Sequence, residues 1–249
     1  MWDRQYGGMP EPALHDSATT EEHPLDNPVW WALGLRHADI AHAVGRARRY
    51  HSDVSVFAAV DTFDDRSWQD LAELVGVAGI CAVIRADIAS DVPFGWVEKG
   101  RGWGRQMLVG IDQLADVEFV QIRRLTIDDV PLMLDLVSIT NPGPFRSGTI
   151  EMGRYYGHFE GARLVSMAGE RLGFDGYTEI SAVCTHPEFR GKGFASSMTH
   201  HVATGIFERG EQPFLHVAES NVSAHGVYGN LGFVERRSVE FALLQSPGG

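Results

Sequence analysis

The chain has 249 residues, 33 acidic and 21 basic, with a formal net charge of −12 when histidines are neutral. Hydrophobic residues make up 44% of it, enough for a packed core, while the acidity argues against a surface built to hold a nucleic-acid backbone. Its longest apolar stretch, residues 75–84, is about half of what a bilayer requires, and the opening MWDRQYGGMPEP lacks a basic start followed by an apolar run. A cytoplasmic protein with no membrane or nucleic-acid partner is expected. The length allows one large domain or two small ones.

Residues 1–27 carry Gly, Pro and acidic residues with little periodicity and read as a loose arm. From 28 to 50 the apolar spacing reads as a helix ending in arginines. A strand (54–60), a helix (67–75) and a strand (79–85) follow. Residues 92–110 read as two strands around the glycines of GRGWG, and 111–117 as a joint. A second series begins at 118 with a strand to 125. A helix follows, opened by the capping-box spacing of Thr126 and Asp129. Next come a hairpin of strands 154–159 and 162–172 turning at Glu160 and Gly161, and a strand at 177–185. A helix from about 193 to 208 carries an apolar stripe at every fourth position, Phe194, Met198, Val202 and Ile206. A strand (213–218), a short helix after Asn221 and a last strand (234–244) close the series. Cys81 and Cys184 sit in separate apolar runs and read as buried free thiols. The pairs His37/His42 and His200/His201 lack the spacing and nearby carboxylate of a zinc site, so no metal is expected.

The stretch that carries chemistry is THPEFRGKGFAS, residues 185–196, lying between a strand and the first turn of a helix. Glycines there let backbone amides converge on an anion, and the helix start adds partial positive charge. The spacing is not that of a P-loop, because Lys192 lies between the glycines, and GRGWG does not match a dinucleotide-binding fingerprint.

Together, TEISAVCTHPEFRGKGFAS (178–196) and ESNVSAHGVYGNLGF (219–233) resemble the GNAT superfamily of N-acetyltransferases. The resemblance covers about 118–246 and points to a bacterial branch with an extra, degenerate acetyltransferase-like N-terminal domain. It implies an α/β (α+β) fold with a mixed, mostly antiparallel central sheet flanked by helices. The division implied is an arm (1–27), a shortened GNAT-like domain (28–117) and an acetyltransferase domain (118–249).

The resemblance implies acetyl-CoA as co-substrate. Val183, Cys184 and Thr185 would bond the pantetheine amides like an added strand. Arg190, Gly191, Lys192, Gly193, Phe194, Ala195 and Ser196 would cradle the pyrophosphate. Asn221 fits a cofactor-contacting position and equally an N-cap. Tyr228 matches the acid that protonates the departing thiolate, with a buried structural tyrosine as its alternative. Glu179 stands where a general base is often found, on one face with Ser181, Val183 and Thr185 by strand alternation, and a structural role is its alternative. His186 and His216 are possible substitutes. A carboxylate in that role needs its pKa raised by burial or a like charge. Phe145, Arg146, Tyr155 and Tyr156 are candidates for the acceptor pocket.

The activity implied is acetyl transfer to a primary amine of a small molecule or protein. The alternatives are a non-catalytic acyl-CoA-binding or regulatory protein and an acyltransferase for longer chains. Most of the acidic excess precedes residue 119. Because the first part of a tandem chain can stand in for a second subunit, the sequence is compatible with a monomer or a homodimer.

Overall fold

The computed structural model describes residues 23–88, 92–118 and 120–248. Of the expected arm, residues 1–22 lie outside these. Its last residues are docked: Leu25 is buried, and the Asp26 carboxylate accepts from Arg236 and Arg237 at 2.6 and 2.8 Å.

Pro28 opens α1 (Pro28–Gly34), where its fixed φ suits a first helical position. The helix expected to run on to residue 50 stops there. The hairpin β1 (Ala41–Val44) and β2 (Ala47–Tyr50) takes its place and is joined by β3 (Ala58–Val60) in a three-stranded sheet. Gly45 makes the turn at φ +49°, and its missing Cβ leaves room for the Asp70 carboxylate, which accepts the Arg46 N–H at 2.8 Å. Asp70 itself belongs to α2 (Asp65–Val75), capped by Asp64, whose carboxylate accepts from the Ser67 amide at 2.9 Å.

The main sheet begins with β4 (Ile80–Arg85) and β5 (Val97–Leu108). The hairpin expected at GRGWG is absent: β5 is one strand, because β11 (Val234–Gln245) pairs with it from Val234↔Leu108 to Gln245↔Val97. Gly104 serves packing there, since a Cβ would fall 2.3 Å from the Phe241 ring. Of the strand expected at 118–125, only β6 (Arg123–Arg124) pairs. In the predicted capping box the Asp129 carboxylate accepts the Thr126 N–H at 2.8 Å ahead of α3 (Val130–Thr140). The remaining elements fall within two residues of their expected positions. They are β7 (Tyr155–Glu160), β8 (Arg163–Phe174), β9 (Tyr177–Thr185), α4 (Phe194–Phe207), β10 (Gln212–Ala218) and α5 (Val222–Asn230).

The strands order β4-β11-β5-β10-β9-β8-β7-β6, antiparallel throughout except for the β10–β9 pair, so the expected mixed and mostly antiparallel sheet flanked by helices is present. One face packs on α4 and α5 through Met198, Val202, Ile206 and Tyr228. The other packs on α3 through Met133 and Leu136, and on α1 and the small sheet through Val29, Leu33 and Tyr50. Strands from both sides of residue 117 share this sheet, with β4 and β5 flanking β11. Among the described residues no helix is long and apolar enough to cross a membrane.

Candidate active site

β9 and β10 pair in parallel from Tyr177↔Gln212 to Ile180↔Leu215 and then part. Each keeps its other neighbour: β9 stays on β8 as far as Thr185↔Ser166, and β10 stays on β5 as far as Ala218↔Gly104. The result is a wedge-shaped opening in mid-sheet. The His186 amide donates to the Val165 carbonyl of β8 at 2.8 Å. By alternation the N–H and C=O of Thr185 turn the other way, toward the opening, where Arg190 Nε donates to the Thr185 carbonyl at 3.2 Å.

Alternation does not run evenly through β9. Ala182 has φ +53°, and the register with β8 shifts between Met167 and Gly169. This bulge puts Ser181 and Ala182 on one face in succession. Ile180 and Val183 pack toward α4, whereas Ala182 and Cys184 pack toward α3. Val183 therefore does not share a face with Glu179, as strict alternation had implied. The Cys184 thiol is buried and pushed up to about 11 by that burial, so it is no nucleophile at neutral pH.

At the mouth of the opening, Gly191 and Gly193 take φ +78° and +77°, and a Cβ on either would meet nothing within 4 Å. They are needed for backbone conformation and face open space. The first backbone bond of α4 runs from the Ser197 amide to the Gly193 carbonyl at 3.0 Å, so the amides of 191–196 precede it. Lys192 Nζ lies 5.1 Å from the centre of the Phe189 ring. Phe194 is buried against His158, and Ala195 and Ser196 are half-buried on the first turn. Across the opening, Asn221 caps α5, its Oδ1 accepting from the Ala224 amide at 3.2 Å. Tyr228 is buried against Phe233, and burial, then the proximity of Cys184 and Glu179, holds its phenol protonated.

Glu179 is fully buried and fully engaged. Arg171 donates to it through Nε at 2.7 Å and Nη2 at 2.6 Å, and His216 Nδ1 donates at 2.7 Å. Burial alone would raise its pKa, but Arg171 and then His216 hold it well below the ordinary carboxylate range. That geometry, with a lowered pKa, runs against the base role expected for Glu179, which needs an elevated one. The substitutes are also occupied. His216 Nε2 accepts from Gln106 at 3.0 Å, and His186 is held by Arg163 at 2.5 Å and by the Glu188 amide at 3.3 Å.

On the α3 face a small cleft meets β9 at Ser181 and Ala182. It is lined by residues 142–145, Tyr155 and Arg171. Phe145 and Tyr155 stand edge to face there, 5.7 Å apart. Tyr156 faces the other side, its ring 4.5 Å from that of His201, and Arg146 is turned to the Ser52 carbonyl, so neither lines the cleft. The cleft loop is tied to the turn at 52–54: the Gly148 amide donates to the Asp53 carbonyl at 3.0 Å and the Thr149 hydroxyl to the Val54 carbonyl at 2.7 Å. Phe57 packs under the Arg171 guanidinium at 4.9 Å.

A family model described as FR47-like protein matches residues 155–242. Over 90% of its length the chain superposes on 99% of a Novosphingobium aromaticivorans protein whose crystal structure is described as an acetyltransferase from the GNAT family. The TM-score is 0.82 and the sequence identity 35%. The chain belongs to the GNAT family of acetyltransferases. A GCN5-related N-acetyltransferase from Kribbella flavida shares the fold at 16% identity, with a TM-score of 0.60 over 84% of this chain and 90% of that one. No curated protein sequence matches the chain.

Within this GNAT chain the fold brings the 183–185 edge, the 190–196 loop, Asn221 and Tyr228 around one opening. Sequence reading missed Arg171, Ser181 and Thr149. Arg171 had a visible signal, as one of the adjacent charges Glu170 and Arg171 within β8, with Glu179 of opposite sign on the next strand. His37 and His42, from which no metal site was expected, contact the Tyr50 hydroxyl at 2.8 Å and the His51 ring at 4.3 Å. Among the described residues no three metal-ligating side chains converge.

Proposed function

We propose that this GNAT protein transfers the acetyl group of acetyl-CoA to a primary amine by direct attack. The observation that carries the reading is the opening between β9 and β10, with a glycine-shaped anion loop at its mouth and a protonated tyrosine beside it. In this reading the exposed edge at Val183, Cys184 and Thr185 takes the pantetheine amides. The amides of 191–196, with Arg190 and Lys192, take the pyrophosphate, and Asn221 contributes from its cap position.

The amine nitrogen bonds to the thioester carbon, the C–S bond breaks, and the electron pair leaves on sulfur. Tyr228 gives its phenol proton to the departing thiolate, which leaves as the thiol; the ammonium proton passes to water, and solvent returns a proton to Tyr228. Glu179 acts by holding Arg171 in place. The segment before residue 118 supports the acceptor cleft from behind, through Phe57 under Arg171 and the Asp53 and Val54 carbonyls that hold residues 148–149.

Thiol release from acetyl-CoA with a panel of amines tests the reading. Turnover is expected, with kcat falling about 100-fold in Tyr228→Phe. Binding of acetyl-CoA without turnover on any amine would instead favour a non-catalytic binder, and preference for longer acyl-CoAs would change the donor.

A further inference from the structure

One side chain from each of five adjacent strands joins a single hydrogen-bonded row: Arg236 of β11, Gln106 of β5, His216 of β10, Glu179 of β9 and Arg171 of β8. Each end of the row lies on a bulge. Arg236 is the extra residue where Glu235 pairs with Met107 and Arg237 with Gln106. Arg171 and Leu172 together face Glu179, where Glu170 pairs with Ile180 and Gly173 with Thr178. Bulges re-aim side chains, and here both turn an arginine onto the row.

Donor and acceptor types fix the direction of every bond. Arg236 Nη1 can only donate, so the atom it meets at 2.9 Å is Gln106 Oε1. The Gln106 nitrogen then spends both of its protons, on the Leu25 carbonyl at 2.7 Å and on His216 Nε2 at 3.0 Å. Turning this amide over would set its nitrogen against the arginine and its oxygen against the carbonyl. With Nε2 as the acceptor, the His216 proton sits on Nδ1 and points to Glu179 at 2.7 Å. Gln106 and His216 are both buried, and bonds aligned in this way polarise one another. At the outer end Arg236 also donates to Asp26 at 2.6 Å. Arg237 pairs with the same carboxylate at 2.8 Å, but of the two arginines it is Arg236 that bonds Gln106.

Resting on the acyl-transfer reading, we infer that Gln106 and Arg236 are positioning residues of the site. Through His216 and Glu179 they set the place of the Arg171 guanidinium in the cleft, four strand spacings or roughly 19 Å from Arg236.

Nitrogen-15 spectra of the full chain at pH 7 test this. His216 is expected to carry a proton on Nδ1 and none on Nε2. The Arg171 Nε–H signal, assigned by its loss in Arg171→Lys, is expected to exchange slowly with solvent. Arg236→Met is expected to speed that exchange about 5-fold or more. Arg237→Met, which loosens Asp26 but spares the row, is expected to change it less than about 2-fold. Thiol release with propylamine, benzylamine and spermidine supplies the kinetic readout. In Arg236→Met the amine KM is expected to rise about 3- to 10-fold, with the KM for acetyl-CoA within about 2-fold of the parent. A proton on His216 Nε2 in the parent, or equal effects of the two arginine variants, would overturn the inference and leave acyl transfer standing. No turnover on any of the three amines would count against acyl transfer, and the exchange rates alone then decide the row. If Arg236→Met misfolds, Gln106→Glu takes its place. That change keeps the shape and the bond from Arg236 but removes the donor, so a proton is expected to appear on His216 Nε2, and a bare Nε2 would overturn the inference.

Discussion

Glu179 and Arg171 face each other from adjacent strands as a closed, two-point ion pair, with Glu179 wholly buried and Arg171 nearly so. Removing one charge from such a pair leaves the other uncompensated, at a cost of about 3–5 kcal/mol. Glu179→Gln is therefore expected to lower the thermal midpoint by about 6–20 °C, as read by calorimetry. A midpoint within about 2 °C of the original would show that the pair contributes little. Because the folded-state pKa of Glu179 lies below its unfolded value, its contribution is fully present above about pH 4.3. It is lost as pH falls from there toward the folded value, so the variant is expected to lose less stability on acidification than the parent.

The pH dependence of the rate separates a bound base from solvent. With Glu179, His186 and His216 all engaged, kcat/KM is expected to rise with pH until the amine itself is deprotonated. Tyr228, raised above the ordinary phenol value of about 10, produces no falling limb below that pH. A plateau reached near pH 7 with an alkylamine would mean that a group on the protein takes the proton.

The contact between the Thr149 hydroxyl and the Val54 carbonyl joins the cleft loop to the N-terminal segment. Thr149→Val keeps the shape and leaves that buried carbonyl without its donor. A stability loss of about 1–3 kcal/mol is expected from denaturant midpoints. The acceptor KM is expected to rise while the KM for acetyl-CoA is unchanged. Equal changes in both would mean that the loop does not serve the acceptor side specifically.

The elements from β7 to β11 were legible because each carries its own marks: an even strand period, a Glu-Gly turn, a glycine loop before an every-fourth stripe, and Asn221 as a cap. Residues 41–50 were not, because alanines at 41, 43 and 47 fit a helical period as well as a strand, and only the approach of Asp70 to Gly45 decides the turn. The glycines of β5 misled for a related reason. The strand is fixed by β11, more than a hundred residues later, and Phe241 needs the space over Gly104. In the site, the residue types near the opening were readable. The parity break at Ala182 was not, because an alanine at φ +53° leaves no mark in the sequence. The clasp on Glu179 likewise depends on which strand lies alongside, which no local spacing reveals.

The position of β11 bears on how the chain reaches this state. Both β4 and β5 have β11 as a neighbour, so each holds an open edge until residues 234–245 arrive. On the ribosome, residues 80–108 emerge long before the strand that separates them, and their ladders close only when residues 234–245 have been made. Such distant pairings make folding slow and leave strand edges available to other chains in the interval. The protein therefore has a late-sealing sheet, whose last-made strand locks the first-made part of the sheet to the rest.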